Sequence, residues 1–371
     1  MASQKSPWLF DVTSLMVLLG ENEESVFRSA RETYLEALVA APVAGIQSYL
    51  KIYDGVPGSS RPNYLSPYGC KSAPLRNLRL ENAIRHLRLL ENGKYDTYEI
   101  DISGRVGKLY WIRLFWLIFT WLCFGSLIVF WYYAPFGVLP QRTWVGITTM
   151  AVLTFWSIIV RIVELGMVDR SRKDRDKKRQ EKPNYDGDDG DDAAIFMGEH
   201  NSALVIEGQR KNIKDWTTIN RLDFNNGATY GFQNKFIQYF IRIGTVLVLL
   251  FVLVTVPNGS TTDQLVFIVL NILGQANVFL GLHINAKCCL RELNKTPPLA
   301  NGLIMKDNRT QIYGNLLRHF RGLKDKDWVQ KTDLLPKTTV WTDWSAKVVV
   351  DLVTDPKVLY DNLKSPKPNT P

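Results

Sequence analysis

The sequence predicts an all-α membrane protein, with four transmembrane helices paired as two antiparallel hairpins and a helical cytosolic N-terminal region. Three observations carry that reading. Two apolar blocks, residues 109–167 and 236–285, are each divided by a short turn. No charged residue falls between Arg113 and Arg142, a gap long enough to hold a span. Lysine and arginine gather beside the blocks and are almost missing from the dividing turns. The mean hydropathy of −0.09 hides this pattern, because it averages very apolar stretches with very polar ones.

Span one covers residues 109–133 and supplies roughly the 20 apolar residues needed to cross the hydrocarbon. Phe130, Trp131, Tyr132 and Tyr133 close it as an interfacial belt of rings at headgroup level. Pro135 and Pro140 bracket the first turn; span two follows at 144–167 and ends at Asp169 and a basic run. Span three is 236–256, with Arg242 in its first turns. Pro257, Asn258 and Gly259 make the second turn, and span four is 264–285. Turns this short force neighbouring spans to run antiparallel.

Orientation follows from the basic flanks. Arg105, Lys108 and Arg113 precede or open span one, Arg170, Arg172 and Lys173 follow span two, and Lys287 and Arg291 follow span four. The turns offer only Arg142. The positive-inside rule therefore places both termini and the 168–235 loop in the cytosol, and an even number of spans requires the termini to share a side. The glycosylation sequon Asn258-Gly259-Ser260 falls on the far side, directly against the membrane, and is expected to be unused. A second, Asn308-Arg309-Thr310, lies in the cytosolic tail.

Outside the spans the chain divides into an N-terminal region (1–108), a charged loop (168–235) and a C-terminal tail (287–371), with the two hairpins at 109–167 and 236–286. The apolar run at 15–19, bounded by Asp11 and Glu21, lacks the core and cleavage site of a signal peptide. Residues 1–108 read as mostly helical. Val26, Phe27, Ala30, Tyr34, Leu35 and Leu38 form one apolar stripe, and 75–90 forms a basic amphipathic helix with Arg76, Arg79, Arg85 and Arg88. Such a helix either packs on its neighbours or lies on a membrane surface. The Pro-, Gly- and Ser-rich stretch 56–74 reads as loop. In the charged loop, Asp186, Asp188, Asp189, Asp191 and Asp192 form an acidic patch. Its spacing fails as a calcium loop, because Gly190 and Met197 stand where ligands are needed. A flexible linker followed by a short strand at 203–206 is expected there.

The net charge of +9 fits anionic lipid at the basic flanks and the bilayer itself as partners, rather than nucleic acid. Four cysteines and four histidines lack metal-site spacing, so neither metal nor cofactor is expected. No phosphate-binding loop, dinucleotide fingerprint, metalloprotease helix or nucleophile elbow occurs. Candidate functional residues fall in three groups. Arg161 and Glu164, three apart in span two, read as an intramembrane ion pair. Asn271, Gly274, Gln275, Gly281 and Asn285 share a face of span four suited to helix packing or to a ligand, with Asn277 and His283 off it. Cys288 and Cys289, just beyond span four, are lipidation candidates.

These features leave three function classes: a non-catalytic protein organising partners at the cytosolic face, an enzyme acting on a lipid or isoprenoid near Asn271 and Gln275, and a small channel or transporter. In length and span layout, 109–167 and 236–285 with a long polar loop between, the chain resembles the four-span accessory membrane proteins of fungal indole-diterpene (paxilline-type) biosynthetic clusters. The resemblance implies assistance to secondary-metabolite (terpenoid) biosynthesis at the endoplasmic reticulum, beside membrane-bound pathway enzymes.

Overall fold

The structure is a computed structural model of the 371-residue chain. It describes residues 24, 26–28, 34–39, 49–50, 62–100, 106–133, 143–180, 190–218, 231–296, 307–323 and 328–365. The run at 15–19, the turn holding Pro135 and Pro140, and Asp186, Asp188 and Asp189 lie outside these residues.

In chain order the elements are α1 (Tyr34–Val39), β1 (Asn63–Ser66), β2 (Lys71–Pro74), α2 (Leu78–His86), β3 (Tyr95–Ile100), α3 (Val106–Tyr133) and α4 (Trp144–Gln180). There follow β4 (Asp191–Met197), β5 (Ala203–Gln209), α5 (Arg210–Thr218), α6 (Gly231–Asn258), α7 (Thr261–Arg291) and β6 (Leu293–Thr296). The chain ends with α8 (Arg309–His319), α9 (Trp328–Lys331), α10 (Thr339–Val350) and α11 (Pro356–Lys364). Two compact units result. One takes Met1–Pro57, Val106–Pro183 and Arg221–Asn285, the other Gly58–Arg105, Asn184–Asn220 and Ala286–Pro371.

The first unit is helical. Four stretches are long and apolar enough to cross a membrane: Tyr110–Tyr133, Trp144–Gly166, Phe236–Asn258 and Thr262–Arg291. Their outward side chains are large and apolar, among them Trp111, Phe115, Leu122, Phe155, Leu247 and Phe279, all exposed. Contiguous apolar surface on this scale is unfavourable in water and is what hydrocarbon solvates. Inside, Phe124, Leu127, Leu153, Val252, Phe267 and Leu270 pack into one cluster.

The second unit overturns the all-α expectation, for it contains a six-stranded mixed sheet in the order β2-β1-β4-β5-β3-β6. All pairings are antiparallel except β3 with β5, where Tyr95 to Glu99 run beside Ala203 to Glu207. The expected strand at 203–206 is the core of β5. The expected linker contains β4, with Asp191 and Asp192 as its first residues, and the expected loop 56–74 contains β1 and β2. Asp192 is buried and accepts a hydrogen bond from the Ser66 hydroxyl at 2.7 Å, so part of the acidic patch fastens neighbouring strands.

Helices cover both faces of this sheet, and continuous apolar runs in β4 and β5 follow from that double burial. On one face Ala193, Ile195, Ala203 and Val205 meet Ile312 and Leu316 of α8, with Trp328 and Trp344 beyond. On the other, Ala194, Phe196, Leu204 and Ile206 meet Leu80 and Ile84 of α2, Ile213 of α5 and Cys289 at the end of α7. The basic amphipathic helix is thus packed on its neighbours: buried Arg79 grips Glu292 through two bonds of 2.9 and 2.7 Å. Gly93, at φ 75°, makes the turn into β3 in the left-handed region that glycine tolerates best.

Candidate functional site

The ionisable residues of α4 organise the helical unit. Arg161 and Glu164, one turn apart, are 1% and 3% exposed. Their partners come from the N-terminal segment. Arg161 Nη2 lies 2.8 Å from Glu24 Oε1, and Arg28 Nε lies 2.5 Å from Glu164 Oε1. Tyr49 joins them: its hydroxyl donates to Glu24 at 3.5 Å, and the Arg28 guanidinium sits 4.1 Å from its ring centroid. A third buried pair, Glu36 with Arg113 of α3 at 2.8 Å, repeats the pattern. Each pairing satisfies a charge that hydrocarbon would otherwise reject.

The stripe read from Val26, Phe27 and their neighbours therefore works differently from a soluble amphipathic helix. Phe27 is buried, but so are Glu24, Arg28 and Glu36, while Tyr34 of the stripe is 44% exposed. In an apolar surround the charged residues turn inward to find partners. The sequence did carry a signal for this, since Arg113 and Arg161 in two spans each require an acceptor.

A second polar group ties α3 to α7. Asn277 accepts from Trp116 Nε1 at 2.7 Å and from the Thr120 hydroxyl at 3.3 Å, and its own amide donates to the carbonyl of Val39. Asn277 is buried although the sequence reading set it off the polar face. Of the five residues on that face, Gly274, Gly281 and Asn285 are buried, and Asn271 and Gln275 lie at its edge. The Asn271 amide donates to its own helix, at Phe267, over 2.8 Å. The Gln275 carbonyl oxygen has no hydrogen-bond partner among the described residues. Gly281 is a contact point: a Cβ there would stand 2.6 Å from the Trp116 ring and 2.7 Å from that of Phe27.

Asp263, absent from the sequence candidates, clasps the opposite end of the bundle. Its carboxylate accepts from the Thr143 hydroxyl at 2.6 Å, the Ser260 hydroxyl at 2.7 Å and Trp131 Nε1 at 3.1 Å. Ser260 in turn caps α7, receiving the Asp263 amide at 3.3 Å. The Ser-x-x-Asp spacing before an apolar run was the available signal.

In the sheet unit, His319 Nε2 and Glu207 Oε1 lie 2.6 Å apart. This end of the sheet is acidic: burial, then the Glu207, Asp191 and Asp192 carboxylates, hold the Tyr68 phenol above its usual range. Among the described residues no group of three or more His, Cys, Asp or Glu is arranged to hold a metal. Cys288 and Cys289 are both buried, Cys289 in the core beneath the sheet, and an acyl chain on either requires that packing to open.

Geometry thus defines a class, a four-helix apolar bundle joined to a mixed α/β unit. No family model matches the chain, no curated protein matches it, and no solved structure matches it.

Proposed function

We propose that the chain is a multi-pass membrane accessory or scaffold protein, its α/β unit presented at the cytosolic face of the bilayer for membrane-bound enzymes. The observation that carries this reading is the origin of the sheet. Its strands come from before the first hairpin (β1, β2, β3), from between the hairpins (β4, β5) and from after the second (β6). A sheet cannot be hydrogen-bonded across a bilayer, which supports a reading with those three segments on one side, and the basic flanks favour the cytosol as that side. Interleaved connectivity of this kind ties the α/β unit to the spans through the chain itself, which suits a platform held at the membrane. The resemblance in span layout adds the setting: secondary-metabolite (terpenoid) biosynthesis at the endoplasmic reticulum.

Deletion of the gene followed by metabolite and lipid profiling tests the proposal. One accumulating precursor is expected, with partner enzymes recovered by proximity labelling from a tag on the α/β unit. Unchanged metabolites with altered ion fluxes would overturn it. Conversion of the precursor by the purified chain alone would replace the accessory role with a catalytic one.

A further inference from the structure

The loop between α10 and α11 shows its aliphatic side chains to solvent: Val350 is 83% exposed, Leu352 36% and Val353 93%. Its polar groups turn inward and are bonded. Arg318 of α8 donates to the carbonyls of Val348, Asp351 and Thr354 at 3.3, 2.7 and 2.6 Å. The Asp351 carboxylate accepts from the amides of Val353 and Thr354 at 3.1 and 3.0 Å. A single exposed valine calls for no explanation, but three aliphatics within four positions of a braced loop form an apolar tip.

The place of this tip follows from the α/β unit taken alone. Three of the chain's connections to the spans leave the sheet at one end: β3 runs out at Ile100 before α3, β4 begins at Asp191 after α4, and only Glu292 separates α7 from β6. Strand pairing sets these together, since Ile100 lies beside Leu293, Asp191 beside Gln209, and β3 runs parallel to β5. The C-terminal end of α8 is at this same end, with His319 2.6 Å from Glu207 and Phe320 against Tyr68 of the β1–β2 turn. Its first residue, Arg309, bonds the Glu199 carbonyl at the other end. Helix α10 runs the same way as α8, from Trp341 beside Tyr313 to Val348 at Arg318. The tip that follows α10 therefore shares the end from which the chain enters the spans.

We infer that Val350, Leu352 and Val353 rest in the headgroup–acyl boundary of the bilayer that the spans cross, a surface contact added to the transmembrane anchor. The inference rests on the membrane reading proposed above, which puts that bilayer at this end of the sheet. Lys71, Arg321 and Lys347 are exposed here, but so is Asp191, so apolar burial rather than anionic lipid drives the contact. So small a tip would not hold a free protein to a membrane. Tethered by the spans, it meets the surface within one molecule, and weak burial suffices.

The test uses the full chain in phosphatidylcholine nanodiscs, with an environment-sensitive fluorescent amino acid encoded in place of Val353 or, as reference, of exposed Glu199 at the opposite end of the sheet. At Val353 the probe is expected to be blue-shifted, quenched by a nitroxide on the lipid acyl chain and shielded from aqueous iodide. At Glu199 the reverse is expected. Adding Val350→Asp, at a position whose exposure spares the fold, should lower the inserted-to-aqueous ratio of the Val353 probe about tenfold, the worth of one aliphatic side chain. Iodide quenching at Val353 equal to that at Glu199 overturns the tip contact. Shielding from iodide without nitroxide quenching also overturns it, in favour of a protein contact. Impermeant maleimide reaching Lys71→Cys and Glu199→Cys from opposite sides of sealed vesicles would sink the membrane reading instead; same-side reaction with an aqueous Val353 probe overturns the tip alone.

Discussion

Glu24 and Arg161 meet with side chains that are 0% and 1% exposed, so neither can recover its solvation if the other is lost. Arg161→Met is expected to destabilise the bundle by about 3–5 kcal/mol, and adding Glu24→Gln should restore most of it. Thermal unfolding in detergent measures both; a double variant no better than the single would refute the pairing. Tyr95 makes the opposite case. Its hydroxyl is buried with no hydrogen-bond partner among the described residues. Burial, and then Glu207, push the phenol well above its ordinary value of 10.0. Because the folded value is raised, the folded protein resists ionisation while the unfolded chain ionises near 10. The tyrosine's contribution is therefore intact below pH about 10 and is lost as pH climbs above it. Tyr95→Phe should stabilise the sheet unit by roughly 1 kcal/mol and flatten its alkaline loss. Hydrogen exchange of the β3 amides across about pH 8–11 is the readout.

Among the elements, the turn between α6 and α7 depends on one carboxylate. Asp263 gathers donors from Thr143 ahead of α4, from Trp131 at the end of α3 and from Ser260 at the start of α7. Three chain segments are held by bonds that a neutral amide can only partly replace. Asp263→Asn is expected to cost about 2 kcal/mol, since bonds to a charged acceptor are the stronger kind. Faster exchange of the Thr143 and Ser260 amides, with α2 exchange unchanged, would show a local loosening; uniform acceleration everywhere would argue against a clasp.

For the whole molecule, the shared sheet sets a topological constraint. Lys71, Glu199 and Lys357 are exposed and come from the three segments of the α/β unit. Single cysteines at these positions, in a background without Cys70, Cys123, Cys288 and Cys289, should react with an impermeant maleimide from the same side of sealed vesicles. Reaction of any one from the opposite side is incompatible with one folded sheet. In the cell the reactive side is expected to be the cytosol.

The sequence by itself determined the four apolar helices, because hydrocarbon imposes length and apolarity on each span separately and the signal is local. It also marked the β5 strand by features within a few neighbouring residues; Arg161 and Glu164 read from it as a pair with each other, whereas the structure pairs them with Glu24 and Arg28. Only the tertiary structure decided the rest. The strands β1, β2, β3 and β6 are short and pair with segments far along the chain, so no local period announces them. Asp192 read as part of a solvated acidic patch until Ser66 was brought within 2.7 Å by strand pairing. Likewise Glu24, Arg28 and Glu36 lie in a segment whose apolar stripe looks amphipathic for water, and their inward direction follows from partners on α3 and α4. Burial of a charge is settled by what lies opposite it, and that is a property of packing, not of the segment that carries it.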